Sequence, residues 1–204
     1  MTRLTLIRHG QTPSNVLGLL DTGAPGPGLT DLGHQQAAAL VPQLADREID
    51  EIFVSTLIRT HETAAPLAAD RGISPVPLDG IHEVEAGELE MLSDEDSVRR
   101  YMRTAFAWGS GDLAARMPGG PDGHEFFARF DADIARAAEA GDHPVVVSHG
   151  AAIRIWVAGR ARNIEPSFTA FHHMPNTGVA TLEGSPEDGW RLLTWPDADI
   201  PAAR

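Results

Sequence analysis

The chain of 204 residues contains no cysteine. That excludes disulfides, thiolate catalysis and cysteine-bound metal, and it fits a cytoplasmic protein. Lysine is absent as well, so all sixteen basic residues are arginine. Such usage reads first as coding bias in a GC-rich genome, although arginine is also the better bidentate partner for phosphate. Long apolar runs are missing: none approaches the roughly 18 residues that a membrane span requires. Arg3 and Arg8 surround only a short apolar segment, so the N-terminus does not read as a signal peptide. Basic charge is scarce, with 16 arginines against 29 acidic residues and a net charge of −13. A general nucleic-acid partner is therefore not expected, nor is a membrane. A small anionic substrate requires a local cluster of arginines that overcomes the global field. Nine histidines are present, but no H-x-x-x-H or H-E-x-x-H spacing occurs, so no metal site and no cofactor are expected.

The length suits one domain with a full core, spanning residues 1–204. Strands are predicted at 4–8, at 52–54, at an edge near 75–78, and at 145–148. The last has a continuous apolar run and reads as central. An antiparallel pair is predicted at 178–183 and 189–195. Helices are predicted over 31–45, capped by Thr30 with Leu32, Leu40, Val41 and Leu44 on one face, and over 57–70, capped by Ser55 or Thr56. Further helices are expected over 94–108, behind a capping box at Ser93, then over 124–140 and 150–158. A helical insertion at about 91–123 is expected to lie over the site, and residues 197–204 read as a loose tail. Strands alternating with helices predict an α/β fold. The form expected is a three-layer α/β/α sandwich with a mostly parallel central sheet. Ligands in such sheets bind beyond the C-terminal strand ends.

Two His-Gly corners fall at those ends: Leu4-Thr5-Leu6-Ile7-Arg8-His9-Gly10-Gln11-Thr12 and Val145-Val146-Val147-Ser148-His149-Gly150. A buried strand that ends in Arg8 is costly unless the cation meets an anion. Gly10 leaves room for another group to approach, and Asn15 adds a polar side chain in the next turn. His149 and Gly150 open a helix, whose free N–H groups and dipole attract anions and disfavour a charged histidine. Arg59 sits in the first turn after another strand. Glu83 belongs to a run of four carboxylates (Glu83, Glu85, Glu88, Glu90), which ordinarily means a solvated loop. One of them beside a cationic pocket can act as a proton donor.

Together these segments resemble the histidine phosphatase superfamily, the phosphoglycerate mutase-like branch 1. Arg8-His9-Gly10-Gln11-Thr12 with Asn15 is similar to R-H-G-[EQ]-[ST]-x-x-N. Leu29-Thr30-Asp31-Leu32-Gly33 with Gln36-Ala37 is similar to L-T-x-x-G-x-x-Q-A. Ser55 to Ala64 resembles S-x-L-x-R-[AT]-x-x-T-A, and Glu83, Gly87 and Glu90 keep the spacing E-x-x-x-G-x-x-E. Val147-Ser148-His149-Gly150 with Ile153-Arg154 resembles V-S-H-G-x-x-I-R. The pattern is departed from at Gly26-Pro27-Gly28, at Met91 and at Gly123-His124-Glu125, positions that flank the pocket mouth.

The resemblance implies His9 as a nucleophile that becomes phosphorylated, with its other ring nitrogen on a backbone carbonyl. It implies Arg8, Arg59 and a cationic His149 around the phosphoryl oxygens, with Asn15 and Gly150 in the phosphate site, and Glu83 as acid and then base. The substrate implied is a small phosphorylated metabolite, hydrolysed without metal by a monomer or homodimer. A phosphoglycerate mutase and a phosphate-binding module that has lost turnover are the alternatives. The short stretch between Glu90 and His149 favours the phosphatase, and an intact His9, Glu83 and His149 disfavours the binding module. His34, His61, His124 and His143 read as surface or structural histidines, with a place at the pocket mouth the minority reading for His82 and His124.

Overall fold

A computed structural model describes residues 1–200. Six strands form one sheet in the order β3-β2-β4-β1-β5-β6. They are β1 (Thr2–Arg8), β2 (Glu51–Val54), β3 (Val76–Pro77), β4 (Pro144–Ser148), β5 (Val179–Ser185) and β6 (Gly189–Thr194). The first four are mutually parallel; β5 runs antiparallel to β1, and β6 antiparallel to β5. β4 is buried along its whole length between β2 and β1, as its unbroken apolar run implies.

Strand alternation sends side chains to two cores. Leu4, Leu6, Phe53 and Val146 enter one, against α5 (Gly123–Ala140) and α6 (Gly150–Arg160). Ile7, Ile52, Val54, Val145 and Val147 enter the other, against α2 (Asp31–Gln43) and α3 (Ile58–Arg71). The result is the three-layer α/β/α arrangement with a mostly parallel sheet. α4 (Glu95–Gly109) packs across α6, and its Tyr101, Ala105 and Trp108 are buried there.

Several local expectations shift. Of the expected face, Leu40 and Leu44 are buried, but Leu32 is 47% exposed and Val41 half-buried, and Gly33 and Ala37 complete the face that meets the core. Thr30 does cap α2, accepting from the Gly33 N–H at 3.1 Å. Neither Ser55 nor Thr56 caps α3: Leu57 holds the N-cap position and the Ile58 N–H donates to the Pro25 carbonyl at 3.0 Å. For α4 the cap is Asp94, which accepts from the Ser97 N–H at 3.0 Å, rather than Ser93. The expected loose tail is seated further than its composition implies, because Ala198 and Ile200 pack on the core. Residues 201–204 of that tail lie outside the described residues.

Parallel strands β1, β2 and β4 bring three corners to one edge of the sheet. Arg8-His9-Gly10 follows β1, Ser55 follows β2, and Ser148-His149-Gly150 follows β4. The β1–β4 register sets Arg8 opposite Ser148, and therefore His9 beside His149.

Candidate active site

At this edge opens a cavity of about 170 Å³. Arg8, His9, Asn15, Asp21, Arg59, Glu83, Gly150 and Arg154 all line it. It lies below the roughly 300–1,000 Å³ of pockets for drug-sized ligands, which sets a small guest.

His9 is 3% exposed, and its Nδ1 donates to the Gly10 carbonyl at 2.7 Å. That bond fixes the tautomer and leaves Nε2 with a lone pair. Burial, then the charges of Arg59 and Arg8, hold the ring's pKa well below the ordinary histidine value, so it is neutral at pH 7. The backbone beneath it is closely packed. A Cβ on Gly10 would sit 2.8 Å from the Gly33 carbonyl oxygen, so Gly10 admits the first turn of α2 rather than a ligand.

Two guanidinium groups face the same space. Arg8 donates through Nη1 to the Met174 carbonyl at 2.8 Å, while its buried Nε has no partner. Arg59 donates through Nη2 to the Asp21 carbonyl at 3.0 Å and through Nε to His149 Nδ1 at 3.2 Å. Its Nη1 is buried without a hydrogen bond, the Asp21 carboxylate standing 3.9 Å away. Burial lowers the pKa of both arginines, with Glu83 acting in the opposite sense. Unpartnered buried N–H donors on cations are expensive unless an anion is bound there.

The structure corrects the expected charge of His149. The ring is fully buried and does not line the cavity. Its Nδ1 accepts from Arg59, so its proton sits on Nε2, which donates to Ser55 Oγ at 2.8 Å. Burial first, and Arg59 second, push its pKa well below the ordinary value. His149 is thus a neutral ring behind Arg59, its centroid 5.2 Å from that of His9.

Glu83 reaches the start of α6. Its carboxylate accepts from the N–H groups of Ala152 at 2.8 Å and Ala151 at 3.2 Å, and from its own neighbour Val84 at 2.9 Å. This is a carboxylate at a helix N-terminus, where the dipole favours it. The four-carboxylate run divides its labour. Glu85 pairs with His82 and Arg129, and its pKa falls to about 2: burial opposes the fall, but the His82 hydrogen bond and the Arg129 charge exceed it. Glu90 accepts from the N–H groups of Thr22 at 2.7 Å and Gly23 at 3.1 Å and from the Thr22 hydroxyl. Glu88 is exposed.

Asn15 is held from both sides, its Oδ1 accepting from the Thr12 N–H at 3.1 Å and from Asn176 Nδ2 at 3.0 Å. The amide nitrogen is the end left to meet a ligand. Neither His82 nor His124 lines the cavity. His82 is tied to Glu85, and His124 stands exposed on α5, where Asp122 and Glu125 form the capping box.

Several contributors carry no sequence motif. Asn176 bridges Asn15 and the His9 carbonyl. Arg129 donates to the carbonyls of Gly80, His82 and Glu83. Tyr101 donates to the Val84 carbonyl at 2.9 Å. Arg129 and Tyr101 together fix the backbone on either side of Glu83. His173 joins the cavity wall while its neighbour His172 stacks on Phe168, so the adjacent histidines diverge.

The model of the histidine phosphatase superfamily (branch 1) matches residues 4–198. The PE-PGRS family protein PE_PGRS11 of Mycobacterium tuberculosis is 39% identical over 94% of this chain, which spans 36% of that protein's length. The adenosylcobalamin/α-ribazole phosphatase of Escherichia coli K12 is 31% identical, covering 76% of this chain and 77% of its own. Among solved structures, a mycobacterial glucosyl-3-phosphoglycerate phosphatase superposes with a TM-score of 0.80 at 25% identity, over 97% of this chain and 100% of that one. With the matched segment running through both His-Gly corners and the cavity between them, the chain belongs to the histidine phosphatase superfamily, branch 1.

Proposed function

We propose that the protein is a phosphatase that hydrolyses a small phosphomonoester through a phospho-His9 intermediate. One observation carries the reading: a neutral buried imidazole with a free Nε2 shares a cavity with two arginines that keep unpartnered N–H donors. The arginines bind the phosphoryl oxygens and stabilise charge as it spreads in the transition state. Asn15 and the backbone at Gly150 add donors to the same group.

His9 Nε2 attacks phosphorus, and the bond from phosphorus to the ester oxygen breaks. The leaving oxygen takes its proton from Glu83 in its acid form. Glu83, now a carboxylate, accepts a proton from water as that water attacks phosphorus. The P–N bond breaks, inorganic phosphate leaves and His9 is neutral again. The Nδ1–H bond to Gly10 keeps the imidazole in the attacking tautomer throughout. His149 holds Arg59 by its Nε and so positions that guanidinium beside His9, whose ring centroid is 5.2 Å from that of His149. The chain works as one catalytic domain. The segment 91–123 forms its roof, since Tyr101 and Met102 line the cavity.

The experiment is to trap the intermediate. Rapid acid-free quenching during hydrolysis of p-nitrophenyl phosphate is expected to give a phosphoenzyme that is labile to acid and stable to base, mapped to His9 by mass spectrometry. Turnover without that species, or turnover undiminished in His9→Ala, rejects the mechanism. A coupled phosphoglycerate assay with and without a bisphosphoglycerate primer separates hydrolysis from mutase transfer.

A further inference from the structure

The turn that leads into β5, Met174 to Gly178, meets the groups proposed to bind phosphate from behind. Of its residues only Met174 lines the cavity. The Met174 carbonyl accepts from Arg8 Nη1 at 2.8 Å. The Gly178 carbonyl accepts from the Arg8 N–H at 3.1 Å, and the Thr177 N–H donates to the carbonyls of Arg8 at 3.0 Å and His9 at 3.3 Å. Asn176 is half-buried, and its Nδ2 donates to the His9 carbonyl and to Asn15 Oδ1, each at 3.0 Å. One short turn therefore holds the Arg8 side chain, the His9 backbone and the Asn15 side chain. The pairing of β5 with β1 accounts for the backbone bonds of Thr177 and Gly178. It does not account for the Asn176 amide, which reaches sideways to two groups of the site.

The chemistry of each partner fixes which way both amides point. A carbonyl only accepts, so the end of Asn176 at His9 is its nitrogen. A backbone N–H only donates, so the end of Asn15 at Thr12 is its oxygen, 3.1 Å away. That oxygen has two lone pairs, and Thr12 and Asn176 fill both. A reversed Asn15 amide would set a lone pair against a phosphoryl oxygen, and its own hydrogens against the donors of Thr12 and Asn176. The turn is also held out of its relaxed shape. Thr177 has a φ of 54°, in the left-handed region that a β-branched residue rarely adopts. Its hydroxyl donates to the Asn176 carbonyl at 2.7 Å, which ties the strained corner to the residue that carries the amide. Such strain persists only where surrounding contacts over-determine it, and it collects at functional sites. Glycine at 177 would make the same turn without it.

We infer that Asn176 is a positioning residue that, anchored on the His9 carbonyl, locks the Asn15 amide with its nitrogen toward the phosphoryl group. The left-handed corner at Thr177 aims the Asn176 side chain between those two partners. Asn176 touches no substrate atom and acts through Asn15. The inference rests on the phosphatase reading, which supplies the phosphoryl group.

A double-mutant cycle tests it. The measurements are kcat and KM on p-nitrophenyl phosphate, the inhibition constant of inorganic phosphate, and the melting temperature. They are made on the wild type, Asn15→Ala, Asn176→Leu and the double variant. Asn15→Ala is expected to lower kcat/KM about tenfold or more, as loss of one hydrogen bond to a charged group does. Asn176→Leu keeps the volume and removes both bonds; it is expected to cost about fivefold or more and to weaken phosphate inhibition by a like factor. Once the Asn15 amide is gone there is nothing to orient, so adding Asn176→Leu to Asn15→Ala is expected to cost less than about twofold. A fall in melting temperature, by contrast, would be the same in both backgrounds. That masking of activity is what a merely structural turn would not give. An equal fold-loss in both backgrounds overturns the inference. So does an Asn176→Leu enzyme as active as the wild type, or Asn15→Ala at the wild-type rate. If the leucine variant does not fold, Asn176→Ser, whose side chain falls short of Asn15, completes the cycle with the same expected masking. A wild type that turns over without phospho-His9 rejects the phosphatase mechanism instead, whereas independent losses in an enzyme that forms it reject only the role of Asn176.

Discussion

The two His-Gly corners are near copies in sequence and neighbours in space, yet their imidazoles do opposite things. Both follow parallel strands and arrive at the same sheet edge. His9 spends one nitrogen on its own backbone and keeps the other for the cavity. His149 spends both, one on Ser55 and one on Arg59, and is withdrawn behind that arginine. The difference is set by what stands next to each ring rather than by the motif. A His-Gly corner delivers an imidazole to a strand end; the partner of its second nitrogen decides whether that nitrogen stays open to the cavity or holds another group in place.

Four experiments break or sharpen that contrast. Removing the proposed nucleophile has the largest expected effect: His9→Ala is expected to lower kcat on the order of 10⁴-fold or more, as loss of a covalent nucleophile does. His149→Ala instead frees Arg59 Nε from its anchor, and the expected loss is about 10²- to 10³-fold, that of one transition-state donor. Steady-state rates on p-nitrophenyl phosphate rank the two, and equal losses would erase the contrast.

Arg129→Leu tests a group that touches neither ring. It loosens the backbone that carries Glu83, and about a tenfold to hundredfold fall in kcat is expected with little change in KM. A fall in thermal stability without that kcat effect would assign Arg129 to folding alone. Ser55→Ala removes the Nε2 partner of His149 and is expected to cost about fivefold, equivalent to roughly 1 kcal/mol for one hydrogen bond.

The smallest signal is common to both rings. Each folded-state pKa lies below the ordinary value of 6.5, so between the two values the unfolded chain binds more protons. Their contribution to stability is complete above pH 6.5 and is lost as pH falls below it. Glu85 adds a second loss, from 4.5 downward through about 2. Melting temperatures recorded from pH 8 to pH 4 should decline below 6.5 in the wild type, and less steeply in His149→Gln.

Much of this was legible in the residues. The apolar runs at Leu4 to Ile7 and Val145 to Val147 mark strands because burial on both faces leaves no alternation to preserve. Parallel order then places Arg8, His9 and His149 together without further information. What stayed hidden depends on contacts between distant segments. Ser55 has the residue type of a helix cap, but the cap is supplied by Pro25 and the hydroxyl goes to His149. Leu32 has the spacing of a core residue, but Gly33 faces inward beside Gly10. Asn176, Arg129 and His173 belong to no local pattern, since each earns its place only when the chain has closed. The expected positive charge on His149 failed because the sequence does not reveal that an arginine will fill its Nδ1 lone pair.

The carboxylate of Glu90 has a consequence beyond its own loop. By gripping Thr22 and Gly23, it ties the glycine- and proline-rich stretch over Arg59 to the segment that carries Glu83. Thr22 answers by accepting from the Ala86 N–H, which closes the clasp in both directions. The wall with the cation and the wall with the acid are thereby one mechanical part. Their alignment is set by hydrogen bonds within the fold itself.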